Sequence, residues 1–236
     1  MERMTLDRLL SPAVSWIALF IFFFAGCDFR RAGLPEQKIF QFEGKSIVVA
    51  GFRAALSPGE KPEVVRNPLS GAIFNGQPVE KEVIDRMTDA LFMKMLETKR
   101  YEFISPDQAE GILSTLVSSD AVLDDAELFK RLGKAVSSDA VLVGYIYRWI
   151  EREGSDYAVH RPASVAFDLC LLRTDDGVIL WKGRFDKSQK SLSENLLDLN
   201  TFMKAGGKWM TAEYLANLGL QEILEKFPKG ETGHED

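Results

Sequence analysis

The sequence predicts one α/β domain, a single domain with a mixed β-sheet, an antiparallel hairpin and flanking helices. Three observations predict it. Ser46 to Phe52 is a continuous apolar run bounded by Lys45 and Arg53, the pattern of a central strand covered on both faces. Val79 to Lys99 and Thr211 to Phe227 have helical apolar spacing and lie on either side of a β-rich middle. Thr174-Asp175-Asp176-Gly177, between the β-rich runs Ser164 to Arg173 and Val178 to Phe185, carries the Asp-Gly signal of a hairpin turn.

The amino-terminal residues stand apart from this domain. Arg3 and Arg8 precede Ala13 to Phe24, an apolar stretch without charge, as in a positive n-region and an h-region. The stretch is short for a spanning helix, which needs about 20 residues. It ends in Phe24-Ala25-Gly26-Cys27, and small residues directly before a cysteine resemble the lipobox of bacterial lipoproteins, whose cysteine is acylated. Residues 1–26 then form a lipoprotein signal peptide, Cys27 is the lipidation site, and residues 27–45 are the lipidated tether. The alternative is a signal anchor with a chance cysteine. Two or more acyl chains, at roughly 0.8 kcal/mol per buried methylene, would fix the chain to a bilayer. The expected place is the periplasmic face of a bacterial membrane. The outer membrane is favoured, and Asp28 keeps the inner membrane open.

The α/β domain is expected over residues 46–228, ahead of a polar tail at 229–236. A short edge strand is expected at Lys38 to Phe42, within the tether. After the first strand, Ala54 to Pro78 reads as a long irregular segment, with Pro58, Pro62, Pro68 and Pro78 among three glycines. It is a candidate partner-binding loop, and Pro58, Pro62, Asn67, Pro68, Phe74 and Asn75 are its candidate contact residues. Val79 to Lys99 carries acids near its start and bases near its end, which agrees with the helix dipole. Tyr101 to Ile104 is a short strand. Ser105-Pro106 supplies an N-cap and a first-turn proline for a helix through Leu116. Asp124 or Asp125 caps another helix, with Leu128, Phe129 and Leu132 on one side. Asp139 to Ile150 is β-rich, and the connection Glu151 to Ala163 is charged and contains a proline. Leu192 to Lys204 is a further helical candidate, and Pro228 stops the last helix. Ser-Ser-Asp-Ala-Val-Leu occurs at 118–123 and again at 137–142, in different contexts, which reads as coincidence.

Composition and motif content narrow the chemistry. The chain has 236 residues, 46% hydrophobic and 27% charged, enough to bury a core. A formal net charge of -6 argues against a nucleic-acid surface, which needs clustered positive charge. Two histidines, His160 and His234, leave little for a metal centre, and no metal or other cofactor is expected. Gly-x-Ser-x-Gly, Ser-x-x-Lys, His-Glu-x-x-His and the phosphate-binding loop are all missing, so the expectation is a protein that is not an enzyme. His160, four residues after Asp156, is the best catalytic candidate and reads first as a surface residue. Cys170, between Leu169 and Leu171, reads as a small buried hydrophobe. Asp175-Asp176 reads as a turn pair. Trp149, Trp181 and Trp209 fit either anchoring of a partner or packing.

The order of signals resembles a class of envelope proteins. The residues that carry the resemblance are Ile47-Val48-Val49-Ala50-Gly51-Phe52, the amphipathic helix after it, Tyr101-Glu102-Phe103-Ile104 and Leu132-Gly133. Ser138 to Gly144 and the hairpin Thr174 to Trp181 complete the set. Together, over residues 46–186, they resemble the α/β fold shared by the curli-secretion lipoprotein CsgG, the penicillin-binding-protein activator LpoB and the amino-terminal domain of TolB. The resemblance implies a binding or assembly module of the bacterial cell envelope, while the lipobox and the missing catalytic motifs point to an envelope protein as partner and the net charge to no nucleic acid. The other reading is a ring-forming subunit of a secretion or export machine. A pore would need crossing strands of about 9 to 11 residues. Glu151 to Ala163 cannot supply two of these, and the 54–78 segment holds too many prolines for one hairpin. A secretion channel is therefore disfavoured.

Overall fold

Apolar alternation on both faces of the central strands dictates the architecture. In the computed structural model, residues 42–118, 123–155, 159–189 and 209–228 are described, and all lie within one compact unit, Ile39–Asp236. The expected signal peptide, Cys27, most of the strand expected at Lys38 to Phe42, the helix expected at Leu192 to Lys204 and the tail at 229–236 lie outside the described residues.

In chain order the elements are β1 (Ser46–Ala54), β2 (Glu63–Arg66), β3 (Ile73–Gly76), α1 (Lys81–Glu97), β4 (Glu102–Ile104), α2 (Pro106–Ser118) and α3 (Asp125–Ala135). They continue as β5 (Ala140–Ile150), β6 (Glu153–Gly154), β7 (Val159–Arg161), β8 (Ser164–Arg173), β9 (Ile179–Ser188) and α4 (Ala212–Leu224). The main sheet has the order β4-β1-β5-β8-β9. Its first three strands are parallel and the rest antiparallel, the mixed sheet that the sequence predicts.

Residue parity along the strands separates two cores. Ile47, Val49 and Phe52 of β1 join Leu142 and Ile146 of β5 under α1 and α4, which contribute Met87, Leu91, Leu215 and Leu220. Val48, Val141, Val143, Tyr147 and Cys170 face the other way, toward Ala109 of α2, Phe129 and Leu132 of α3, and Phe74 of β3. The sheet is thus the middle of three layers. Gly51 makes a bulge in β1 with φ +77, and a Cβ there would meet the Thr88 side chain at 2.6 Å. The same Thr88 Oγ1 accepts a hydrogen bond from the Phe52 amide at 2.9 Å, tying α1 to the bulge.

Capping follows the sequence closely. Asp124 caps α3 by accepting from the Glu127 amide, and Thr211 caps α4 by accepting from Tyr214. The second Ser-Ser-Asp motif has a use of its own: Asp139 Oδ2 accepts from the Lys45 and Ser46 amides at 2.8 and 2.9 Å. Those bonds, Ser46 first, hold its carboxyl below the usual range, and they pin the start of β1 beside β5.

Two expectations need correction. The 54–78 segment is not irregular: β2 and β3 form an antiparallel hairpin, Glu63 paired with Gly76 through Arg66 with Ile73. Its prolines did not forbid this, because Pro62, Pro68 and Pro78 all lie outside the four-residue strands and remove no ladder donor. The Glu151 to Ala163 connection also contains a ladder, β6 with β7, of two and three residues. Both are far below the length of a membrane-crossing strand.

Candidate functional site: a hairpin seated on a buried carboxylate

The β8 sequence Ser164-Val165-Ala166-Phe167-Asp168-Leu169-Cys170-Leu171-Leu172 places a carboxylate inside an apolar run. Even-numbered residues of this strand face the α2/α3 side, so Asp168 points inward there and is only 2% exposed. A buried charge is costly unless hydrogen bonds satisfy it. The β2–β3 hairpin supplies them.

Asn67, at the turn, donates from Nδ2 to both Asp168 oxygens at 3.0 Å and lies 2.6 Å from the Tyr147 hydroxyl. Tyr147 in turn donates to Asp168 Oδ1 at 3.1 Å, and Ser70 Oγ donates to Oδ2 at 3.2 Å. The Asn67 side-chain oxygen accepts from the Leu69 and Ser70 amides, both at 2.6 Å, which closes the turn locally. One asparagine therefore shapes the hairpin and fastens it to the sheet.

Aromatic packing completes the seat. Phe74 stacks on Tyr147 with ring centres 3.8 Å apart and planes 8° from parallel. The Arg184 guanidinium sits 4.1 Å from the Phe74 ring centre. It also donates to the Ile73 carbonyl at 3.1 Å, while Arg148 donates to the Asn75 carbonyl at 3.4 Å. Asp186 holds both arginines, Arg148 at 2.6 Å and Arg184 at 3.3 Å. Burial raises the Asp168 carboxyl to about 6, against the opposing pull of hydrogen bonds from Tyr147, Ser70 and Asn67. Burial likewise pushes the Tyr147 hydroxyl up.

The sequence-derived loop residues divide between the two faces of the hairpin. Asn67 and Phe74 are buried and act as fasteners. Pro58, Pro62, Pro68 and Asn75 are exposed. The outward face also carries Val64 at 66% and Ile73 at 49% exposure, two apolar side chains that the loop reading did not single out. Asp168 and Tyr147 were missed as well. A lone carboxylate in the run Ala166 to Leu172 was the available signal for the first.

The other candidates fall elsewhere. His160 is exposed in β7. Cys170 is fully buried, and burial pushes its thiol up to about 12. Asp176 accepts from the Val178 amide at 3.1 Å, as a turn residue should, with Gly177 at φ +75. Trp149 and Trp181 are half-buried against the α1/α4 core. Among the described residues no group of three or more His, Cys, Asp or Glu could hold a metal ion, and no helix is long and apolar enough to cross a membrane. A cavity of about 170 Å³ lies on the opposite sheet face from Asp168, between Phe185 of β9 and Leu215 and Leu218 of α4.

No family model matches the chain, and no curated protein matches its sequence. Among solved structures it is similar to the LpoB C-terminal domain from Salmonella enterica, at 13% identity over 62% of this chain and 84% of that one, with a TM-score of 0.38. It is also similar to the lipoprotein GNA1162 from Neisseria meningitidis, at 17% identity over 69% and 94%, with a TM-score of 0.38. A PelC variant dodecamer from Paraburkholderia phytofirmans matches at 9% identity over 80% and 91%, with a TM-score of 0.44. At such scores the likeness does not extend to activity or partner. The likeness to CsgG and TolB remains a resemblance of sequence pattern.

Proposed function

We propose that the protein is a non-enzymatic, lipid-anchored periplasmic binding or assembly module of the bacterial cell envelope, and that it docks another envelope protein on the outward face of the β2–β3 hairpin. The observation that carries the docking reading is the division of the hairpin. Its inner face is fastened by Asn67 and Phe74, while Val64 and Ile73 face solvent at 66% and 49% exposure. Apolar side chains held on a fixed scaffold lose little entropy on binding, which favours a surface of this kind as an anchor point. Ala25-Gly26-Cys27 supports the anchor.

Two experiments test the two parts separately. Val64→Glu with Ile73→Glu leaves every fastening contact in place and should abolish crosslinks to the envelope partner in intact cells. An unchanged crosslinking pattern would rule the face out. For the anchor, Cys27→Ser should move the protein from the membrane to the soluble fraction, and membrane association of an uncleaved form would mean a signal anchor instead.

A further inference from the structure

The main sheet ends on one side in β9, a ten-residue strand that pairs with β8 on one edge and with no strand among the described residues on the other. Ladder parity shows which of its backbone groups are free. Gln189 donates to the Ala163 carbonyl at 2.9 Å, so with the register Ser164 to Ser188 the main-chain groups of Lys187, Phe185 and Gly183 turn toward β8. Those of Lys182, Arg184, Asp186 and Ser188 turn outward, and no backbone hydrogen bond reaches them among the described residues. The side chains of these four residues share the sheet face that carries the hairpin, and they read plus, plus, minus, neutral along the edge.

Charges on an edge strand ordinarily discourage pairing. Here their spacing makes one pairing complementary. We propose that β9 is a self-pairing edge, through which two copies of this chain join antiparallel about a two-fold axis at Phe185, fusing their five-stranded sheets into one. The axis position follows from charge. An axis at Arg184 sets that guanidinium against its own copy, and an axis at Asp186 sets carboxylate against carboxylate. An axis at Phe185 places Arg184 opposite Asp186 of the other copy, twice by symmetry, and Lys182 opposite Ser188, twice. It also brings outward-facing residues opposite outward-facing residues, which an antiparallel ladder needs in order to form its closely spaced hydrogen-bonded pairs. This surface is separate from the outward face of the hairpin, so the inference stands apart from the docking reading above.

Sedimentation equilibrium of the full-length chain in density-matched detergent tests it. The expected result is a monomer–dimer equilibrium. Arg184→Glu alone and Asp186→Arg alone should each weaken the dimer by roughly tenfold or more, since each replaces two attractive cross-strand pairs with repulsive ones. An equimolar mixture of the two variants should dimerise again, because opposite charges then face each other at both positions. Arg184 and Asp186 also hold β3, so Lys182→Pro is the second arm: its amide faces outward, and proline there spares the β8 ladder while blocking the new one. It should leave a monomer with cooperative unfolding. A wild-type chain that stays monomeric at every concentration overturns the proposal. So does a dimer indifferent to Lys182→Pro, or a mixture that associates no better than either charge variant alone.

Discussion

Two hairpins leave the main sheet, and they differ in what holds them. β2–β3 and β6–β7 are both short two-stranded ladders of a size that is marginal alone in water. The first is seated by Phe74, Asn67, Asp168 and two arginines, all reaching it from, or turned toward, the sheet. The second is tied by the Arg161–Glu153 pair at 2.7 Å, whose side chains are 57% and 60% exposed. Backbone pairing is similar in kind, so the contrast between them is one of burial. The first hairpin is fastened to the sheet through buried side chains, whereas the ion pair across the second is exposed.

Four measurements sharpen that contrast, beginning with the largest effect. Phe74→Ala removes a buried ring and its stacking on Tyr147, and should lower unfolding free energy by about 3–5 kcal/mol in denaturant titrations, with loss of hydrogen-exchange protection at Val65. Next comes pH. The Asp168 carboxyl titrates at about 6 in the folded chain and at 3.8 in the reference state, so the folded protein binds more protons between those values. The stability this group contributes is present below pH 3.8 and lost as pH rises through 6, by about 3 kcal/mol in all. The difference between wild type and Asp168→Asn across that window isolates it from the opposite trends of Asp139 and Glu127, whose hydrogen bonds lower their carboxyls.

Asn67→Ala should cost about 2 kcal/mol, because it strands a buried carboxylate and opens the turn. The exchange rates of the Leu69 and Ser70 amides should rise with it. Arg161→Ala should change stability by no more than about 0.5 kcal/mol, since it touches only the exposed pair. A loss above 1 kcal/mol there would erase the contrast.

Much of the fold is legible in the sequence because its signals are local. Ser46 to Phe52 announces a central strand by its length and lack of charge, and Asp124 and Thr211 announce helix starts through bonds three residues away. The candidate site is legible only in fragments. Asp168 is conspicuous in its apolar strand, but its partners Asn67 and Tyr147 lie 101 and 21 residues away, and no spacing rule links them. The hairpin itself was hidden by its prolines. They crowd the segment in composition yet sit beside the ladder rather than in it, a distinction of one or two positions. Phe74 could not be recognised as a fastener until β5 brought Tyr147 beneath it.

The position of β1 also carries a consequence for how the chain assembles. It lies between β4 and β5, and its register partners begin at Glu102 on one side and Ala140 on the other. The antiparallel β5, β8 and β9 are close in sequence and can zip up early, whereas β1 has no strand to pair with until the chain beyond it has arrived. The Asp139 clamp on Lys45 and Ser46 then closes one of the longest loops in the molecule. β1 is therefore expected to be inserted after the later-synthesised strands β5, β8 and β9 have paired.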